Sequence, residues 1–412
     1  MKYYLLFMIL ANLITACGQK TELISQWRGP NRDGIYRDSG LLKSWPETGP
    51  EMVWSFEGLG AGHGSVGFSP DKVFVLGMPD TTGVLYAFDY FGNLLWSKEY
   101  GTEWYKNYTG PRSTPTVVGN LVYFVSGQGV AYCYDERTGE LVWSVDLLKT
   151  FDAENIQWGI AESVLIDGDH VICTPGGKVH NVVALNRFTG KTVWTSPAMG
   201  EQSAYCSPTL INHNGTRLFI TKTAESVFAL NPDNGHMYWS VPQKQRHKIH
   251  SNTPVYWEGR VFCSSENAPE DNGLVSLLLS EDGKTATIEW RNEQYTNLMG
   301  GIILKDGYIY GSEYRERGWS VTHAFTGEVV HTSDTLGTGV VIWADDRFYC
   351  YTEDGKMSLV DAGPQHFNII STFYVPLGTD QHWAHPVIQG KRLYIRHGNA
   401  LMVYDIEDKK PK

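Results

Sequence analysis

The chain of 412 residues reads as an all-β protein, an eight-bladed β-propeller of four-stranded blades whose ring is closed by an N-terminal strand completing the last blade. Three observations predict it. An Asp/Asn–Gly–Trp element recurs, as Asp135, Gly139 and Trp143, as Asn186, Gly190 and Trp194, as Asn231, Gly235 and Trp239, and more loosely as Asp89, Gly92 and Trp96. These tryptophans stand 47, 51 and 45 residues apart, a period typical of propeller arrays. Upstream of each element lies an apolar strand, a short Gly/Asn/Asp turn and an alternating strand, the pattern of a β-hairpin. Eight such copies occur, with second strands centred near Phe74, Tyr123, Ile172, Phe219, Phe262, Tyr310, Tyr349 and Tyr394. The last copy ends after Met402-Val403-Tyr404-Asp405, whereas Met52-Val53-Trp54-Ser55-Phe56 stands alone as a fourth strand without a blade. Joining the two closes the ring and removes a free sheet edge.

Each part of the repeat has a physical task. The glycine permits a turn with positive φ between the third and fourth strands. The tryptophan is expected to pack across the gap between blades with its indole N–H on a backbone carbonyl, which gives Trp54, Trp96, Trp143, Trp194, Trp239 and Trp290 a blade-docking role. The pattern decays later: blade five has Gly283 and Trp290, blade six has Gly327 with His331 in the tryptophan place, and blade seven, around Asp361-Ala362-Gly363, has no tryptophan. The repeat resembles the tryptophan-docking motif of the quinoprotein alcohol dehydrogenase-like superfamily over residues 50–406. Trp-Arg-Gly-Pro-Asn-Arg-Asp-Gly at 27–34 resembles the opening of pyrroloquinoline-quinone-like propeller lipoproteins. It is expected to form a cap packed on the ring, since terminal segments need tying down.

The chain begins with Lys2 and an apolar run over residues 3–13, too short to span a bilayer. Ile14-Thr15-Ala16-Cys17 resembles the bacterial lipoprotein box, which implies a signal peptide over 1–16 and an acylated Cys17 inserting lipid chains into a membrane. The expected organisation is then an anchor linker and cap over 17–49, the propeller over 50–406 and a charged tail over 407–412. A bacterial outer-membrane lipoprotein follows as the expected location, and a monomer as the expected state. A net charge of −11 without a basic stripe excludes nucleic acid as a partner. Cys133, Cys173, Cys206, Cys263 and Cys350 are odd in number and irregularly spaced, which is no disulfide framework. Cys173, Cys263 and Cys350 share a register with Phe124 and Ile395, so they read as small buried apolar residues.

Function is expected on one face of the disc. Turns joining first to second and third to fourth strands are short, whereas the second-to-third loops and the crossovers between blades are long and varied, the setting in which binding residues concentrate. Ser65, Thr114, Ser163, Ser207 and Thr253 precede successive first strands, with His385 in that place in blade eight. Two residues earlier, on the same face by period-two alternation, come His63, Arg112, Tyr205 and Trp383. With Trp158, His250, Asn252 and His385, these form the expected ligand site at the channel mouth; the alternative is a channel plugged by its own hydrogen bonds. The quinoprotein resemblance implies a vicinal cysteine disulfide and a calcium site. The chain has no adjacent cysteines, and Glu162, Asn252, Asn297 and Asp345 show no identifying spacing, so pyrroloquinoline quinone with calcium is disfavoured and neither cofactor nor metal is expected. The favoured reading is a non-catalytic platform for envelope proteins or other ligands, similar to the outer-membrane assembly-factor propellers. A glycan-binding or glycan-cleaving propeller is the alternative, with His63, Tyr205, Arg112 and His250 as a lyase-like set, and a quinone-dependent dehydrogenase is third.

Overall fold

A computed structural model describes residues 24–265, 270–314 and 317–409; Cys17 and the expected signal peptide lie outside them. Eight antiparallel sheets form the ring, and in blades one to seven the strands follow chain order. Blades one to seven occupy residues 67–102, 116–146, 165–197, 209–242, 255–292, 302–333 and 339–374. Blade eight combines Val387–Gln389, Arg392–His397 and Ala400–Asp405 with Glu51–Phe56 as its fourth strand. That strand pairs from Glu51 opposite Asp405 to Phe56 opposite Leu401, so the ring closes as the orphan strand predicts. The pair Ile24–Ser25 adds a fifth strand to blade two, alongside its innermost strand. One short helix, Leu147–Thr150, follows blade two and is capped by the Asp146 carboxylate, which accepts from the Lys149 N–H at 2.9 Å.

Burial follows position in the blade. Second and third strands are covered on both faces by neighbouring blades and are mostly buried, as in Val73–Gly77 where every residue is buried. Fourth strands lie at the rim and alternate, as in Glu51–Phe56.

A β-bulge between the third and fourth strands occurs in all eight blades, at the tryptophan register. The extra residue bends the strand and sharpens its twist, aiming the indole into the gap. Five indoles donate to the next blade: Trp54 to Tyr90 O (3.2 Å), Trp143 to Arg187 O (2.8 Å), Trp194 to Pro232 O (3.0 Å), Trp239 to Gly283 O (3.2 Å) and Trp290 to Ala324 O (3.1 Å). Trp96 packs in its gap, but its buried Nε1 has no hydrogen-bond partner. The next blade's glycine lies against the ring. A Cβ on Gly190, where φ is +69°, would stand 3.0 Å from Trp143, so a side chain there meets both backbone strain and a clash.

The seam after blade seven is filled from outside the repeat. Ser371 holds the tryptophan register opposite Leu359, and its Oγ accepts from the Trp45 N–H at 3.1 Å. The Trp45 ring packs on Tyr349 at 5.8 Å and Phe373 at 5.7 Å, much as Trp143 packs on Tyr123 of its own blade at 6.2 Å. Gly49 then lies on the Phe373 ring. Residues 45–49 thus supply the ring-and-glycine contact that blade seven lacks. Trp45→Ala and Trp143→Ala are each expected to remove about 3 kcal/mol of stability or more, read as a lower urea midpoint; an unchanged midpoint for Trp45→Ala would separate it from the docking set.

Candidate binding site at the channel mouth

Eight innermost strands surround an axis lined with backbone carbonyls and N–H groups that need partners. The serine and threonine positions supply many of them. Ser65 N–H donates to Thr114 Oγ1 (3.0 Å), Thr114 N–H to Ser163 Oγ (2.9 Å) and Ser163 N–H to Ser207 Oγ (3.0 Å), while Thr253 Oγ1 donates to Ser207 O (2.8 Å) and Ser65 Oγ to His385 O (2.7 Å). This hydroxyl belt links blade eight through to blade five. Asn252 carries it to blade six, donating to Asn297 O at 3.0 Å and accepting from Gly301 N–H at 2.8 Å.

The Trp-Arg-Gly-Pro segment closes the channel from the short-turn side. Arg28 and Arg32 adopt left-handed backbone, with φ of 59° and 60°, which turns both side chains into the ring. Arg32 donates to Ser163 O (2.9 Å), Pro208 O (3.1 Å) and Val164 O, and Arg28 to Ile302 O at 3.0 Å. Gly34 makes room: a Cβ there would lie 2.5 Å from Arg28 Nη2. Arg396 adds a third buried guanidinium, held by the carbonyls of Ala61, Gly64, Leu76 and Gly398. None of the three pairs with a carboxylate among the described residues.

Above this plug, on the long-loop face, lies a cavity of about 510 Å³. Trp27 joins its lining and meets the His385 ring edge-on at 5.2 Å. Of the residues expected at the site, His63, Arg112, Trp158, Tyr205, Trp383 and His385 line the cavity. His250 and Asn252 do not. They flank Ser251, which lines the cavity, in the crossover ahead of the strand Val255–Trp257. His250 is buried with Nε2 on Ala224 O at 3.1 Å, and Asn252 serves the belt. The two-residue spacing applied to every blade selects Ser251 and Ala161, both in the lining. Tyr108, Gln245, His247, Tyr314 and Glu353 also line it; they come from non-repeating loops, where no register singles them out.

The electrostatics are set by burial. His63 is held down to about 3 by burial and by Arg112, Arg396 and His397, so its ring is neutral. Burial, with Arg28 nearby, also pushes His385 well below the usual histidine range. Arg112 is lowered to about 10, again by burial, and remains a cation at neutral pH. Its guanidinium donates to the carbonyls of Tyr108, Gly110 and Asn107 in its own loop. Burial raises the Glu353 carboxyl on the wall.

Residues 81–333 match the family described as outer membrane protein assembly factor BamB. The chain belongs to that family. It is similar in fold to the crystal structure of BamB from Moraxella catarrhalis, with a TM-score of 0.63 at 14% identity over 86% of this chain and 99% of that one. It is similar in fold to a europium-containing methanol dehydrogenase as well, with a TM-score of 0.62 at 12% identity over 91% and 90% of the two chains. Among curated relatives, quinoprotein alcohol dehydrogenase PedH from Pseudomonas putida is 26% identical over 201 residues, covering 46% of this chain and 30% of that protein. Tetrathionate hydrolase from Acidithiobacillus ferrooxidans is 26% identical over 295 residues, covering 57% and 55%. The chain therefore spans 30% and 55% of the lengths of these two relatives.

The residues present do not fit a calcium-bound quinone. The five described cysteines are single and buried, and among the described residues no three His, Cys, Asp or Glu side chains converge as metal ligands. Glu162 accepts from Thr174 N–H at 2.7 Å and Thr174 Oγ1 at 3.0 Å. Asn252 and Asn297 bond one another, and Asp345 pairs with Lys43 at 2.8 Å on the short-turn face.

Glu162 carries a pH signature. Burial raises it to about 7 against the bonds from Thr174 and the charge of Arg32. An acid whose folded value is raised contributes no penalty below its unfolded value near 4.5 and a full one above about 7. Glu162→Gln is therefore expected to gain in melting temperature relative to the parent as pH rises from 5 to 8; a difference that stays flat with pH would contradict this.

Proposed function

We propose that this chain is a non-catalytic docking platform of the bacterial cell envelope, held at the outer membrane by an acylated Cys17 and working without a cofactor. The observation that carries the reading is the rim. The fourth strand of each sheet has no strand beyond it, and these strands expose apolar side chains, including Leu94 and Leu95, Leu141 and Val142, and Ile369 and Ile370. An unpaired edge with apolar residues is a template for an added strand or an extended peptide. Membership of the assembly-factor family supports a protein partner. Among the described residues no helix is long and apolar enough to cross a membrane, which agrees with attachment through lipid.

A photo-crosslinking residue placed at Leu94, Leu141 or Ile369 in cells is expected to capture a discrete envelope protein, while one at the exposed Asn120 on the short-turn face captures none. Adducts absent from all three rim positions would overturn the docking reading. Cys17→Ser is expected to abolish incorporation of labelled fatty acid and to shift the protein from the membrane pellet to the soluble fraction.

A second reading, carbohydrate binding at the long-loop face, is favoured by the aromatic lining of the cavity, because apolar faces of sugar rings stack on such side chains.

A further inference from the structure

The channel-mouth cavity holds polar groups that the fold leaves unused. His63 is only 9% exposed, yet neither of its ring nitrogens has a hydrogen-bond partner. His385 is 8% exposed with Nδ1 unpartnered. Both rings line the cavity, with their unpartnered nitrogens covered in the unliganded protein, and buried polar atoms without partners are costly unless a ligand or water meets them. The walls are aromatic on two sides. Trp383 stands 5.2 Å from His63 and 5.0 Å from Tyr108, and Trp158 stands 6.2 Å from Tyr205 and 6.4 Å from His247. A volume of about 510 Å³ lies within the range of small-ligand sites.

The charge is distinctive. Among the described residues Arg112 is the sole Lys or Arg in the lining, and it pairs with carbonyls that fix it. The buried cations Arg28, Arg32 and Arg396 around the axis likewise lack carboxylate partners among the described residues. A chain of net charge −11 thus sets four guanidiniums at its channel against the carboxyls of Glu103, Glu162 and Glu353, each of which burial shifts toward its neutral form, an excess of positive charge that attracts anions.

We propose that this cavity binds an acidic sugar, its pyranose ring stacked on the aromatic walls and its carboxylate held by Arg112. The proposal rests on the carbohydrate reading and adds the charge of the ligand. A neutral imidazole offers one donor and one acceptor, the combination a hydroxyl meets, and Gln245 and Glu353 on the wall extend that set. A flat aromatic carboxylate would satisfy the walls and Arg112 but leave the His63 nitrogens unmatched.

Isothermal titration of the full-length protein with D-glucuronate, D-glucose and benzoate tests this. Glucuronate is expected to bind at least tenfold tighter than either comparison. Arg112→Gln is expected to lose at least tenfold in glucuronate affinity while remaining folded by circular dichroism, and Arg112→Lys to retain part of it. Trp383→Ala is expected to weaken binding while leaving the preference for glucuronate. Equal binding of glucose and glucuronate would overturn the acidic-sugar proposal and leave the carbohydrate reading standing. Binding of no sugar, or tighter binding of benzoate, would overturn both.

Discussion

A ring of eight sheets creates a difficulty at its axis: innermost strands present backbone groups to a narrow channel that neither neighbouring strands nor bulk water can serve fully. Much of this molecule answers that constraint. The hydroxyl belt serves N–H groups and carbonyls between consecutive blades, and Asn252 continues it where blade five meets blade six. Guanidinium groups, each with several donors in a fixed fork, gather carbonyls from neighbouring blades, as Arg32 does from blades three and four. Burying such cations without counter-charges is unfavourable in itself, and the bonds to carbonyls offset it. The residue of that compromise is a positive channel closed on one side.

The scaffold was legible because its locking device repeats. Trp143, Trp194 and Trp239 carry the same turn and the same bulge, and His331 of blade six still pairs opposite Val321 in the tryptophan register. What escaped is what occurs once. Trp45 fills the seam of blade seven from a segment with no repeat partner, so no periodicity marks it. The Arg28 and Arg32 motif was visible, but its insertion depends on left-handed backbone at both arginines, a conformation that residue type does not announce.

The site divides along the same line. Period-two spacing ahead of the first strands located His63, Arg112, Tyr205 and Trp383, all of which lie in the crossovers leading into those strands. His250 and Asn252 were chosen by proximity to the rim, and that spacing does not select them. Trp27 reaches the cavity from the cap at the opposite end of the channel, a distance only the folded ring closes. The rim strands and the channel mouth are separate surfaces, so a protein edge and a small ligand can be accommodated without competing for the same side chains.

The cap also has a consequence for the order in which the molecule is made. Residues 27–56 emerge early in synthesis, yet their partners include Ile302, Trp343, Asp345, Ser371, Ile406 and the strand Ala400–Asp405. Until nearly the whole chain has been translated, this segment can make only its contacts to the early blades, and contacts so distant in sequence form slowly. Intermediate blades are left with an open ring, an unfilled axis and exposed strand edges, the features that invite aggregation during folding. The segment made ahead of the blades is thus the one that finishes the structure.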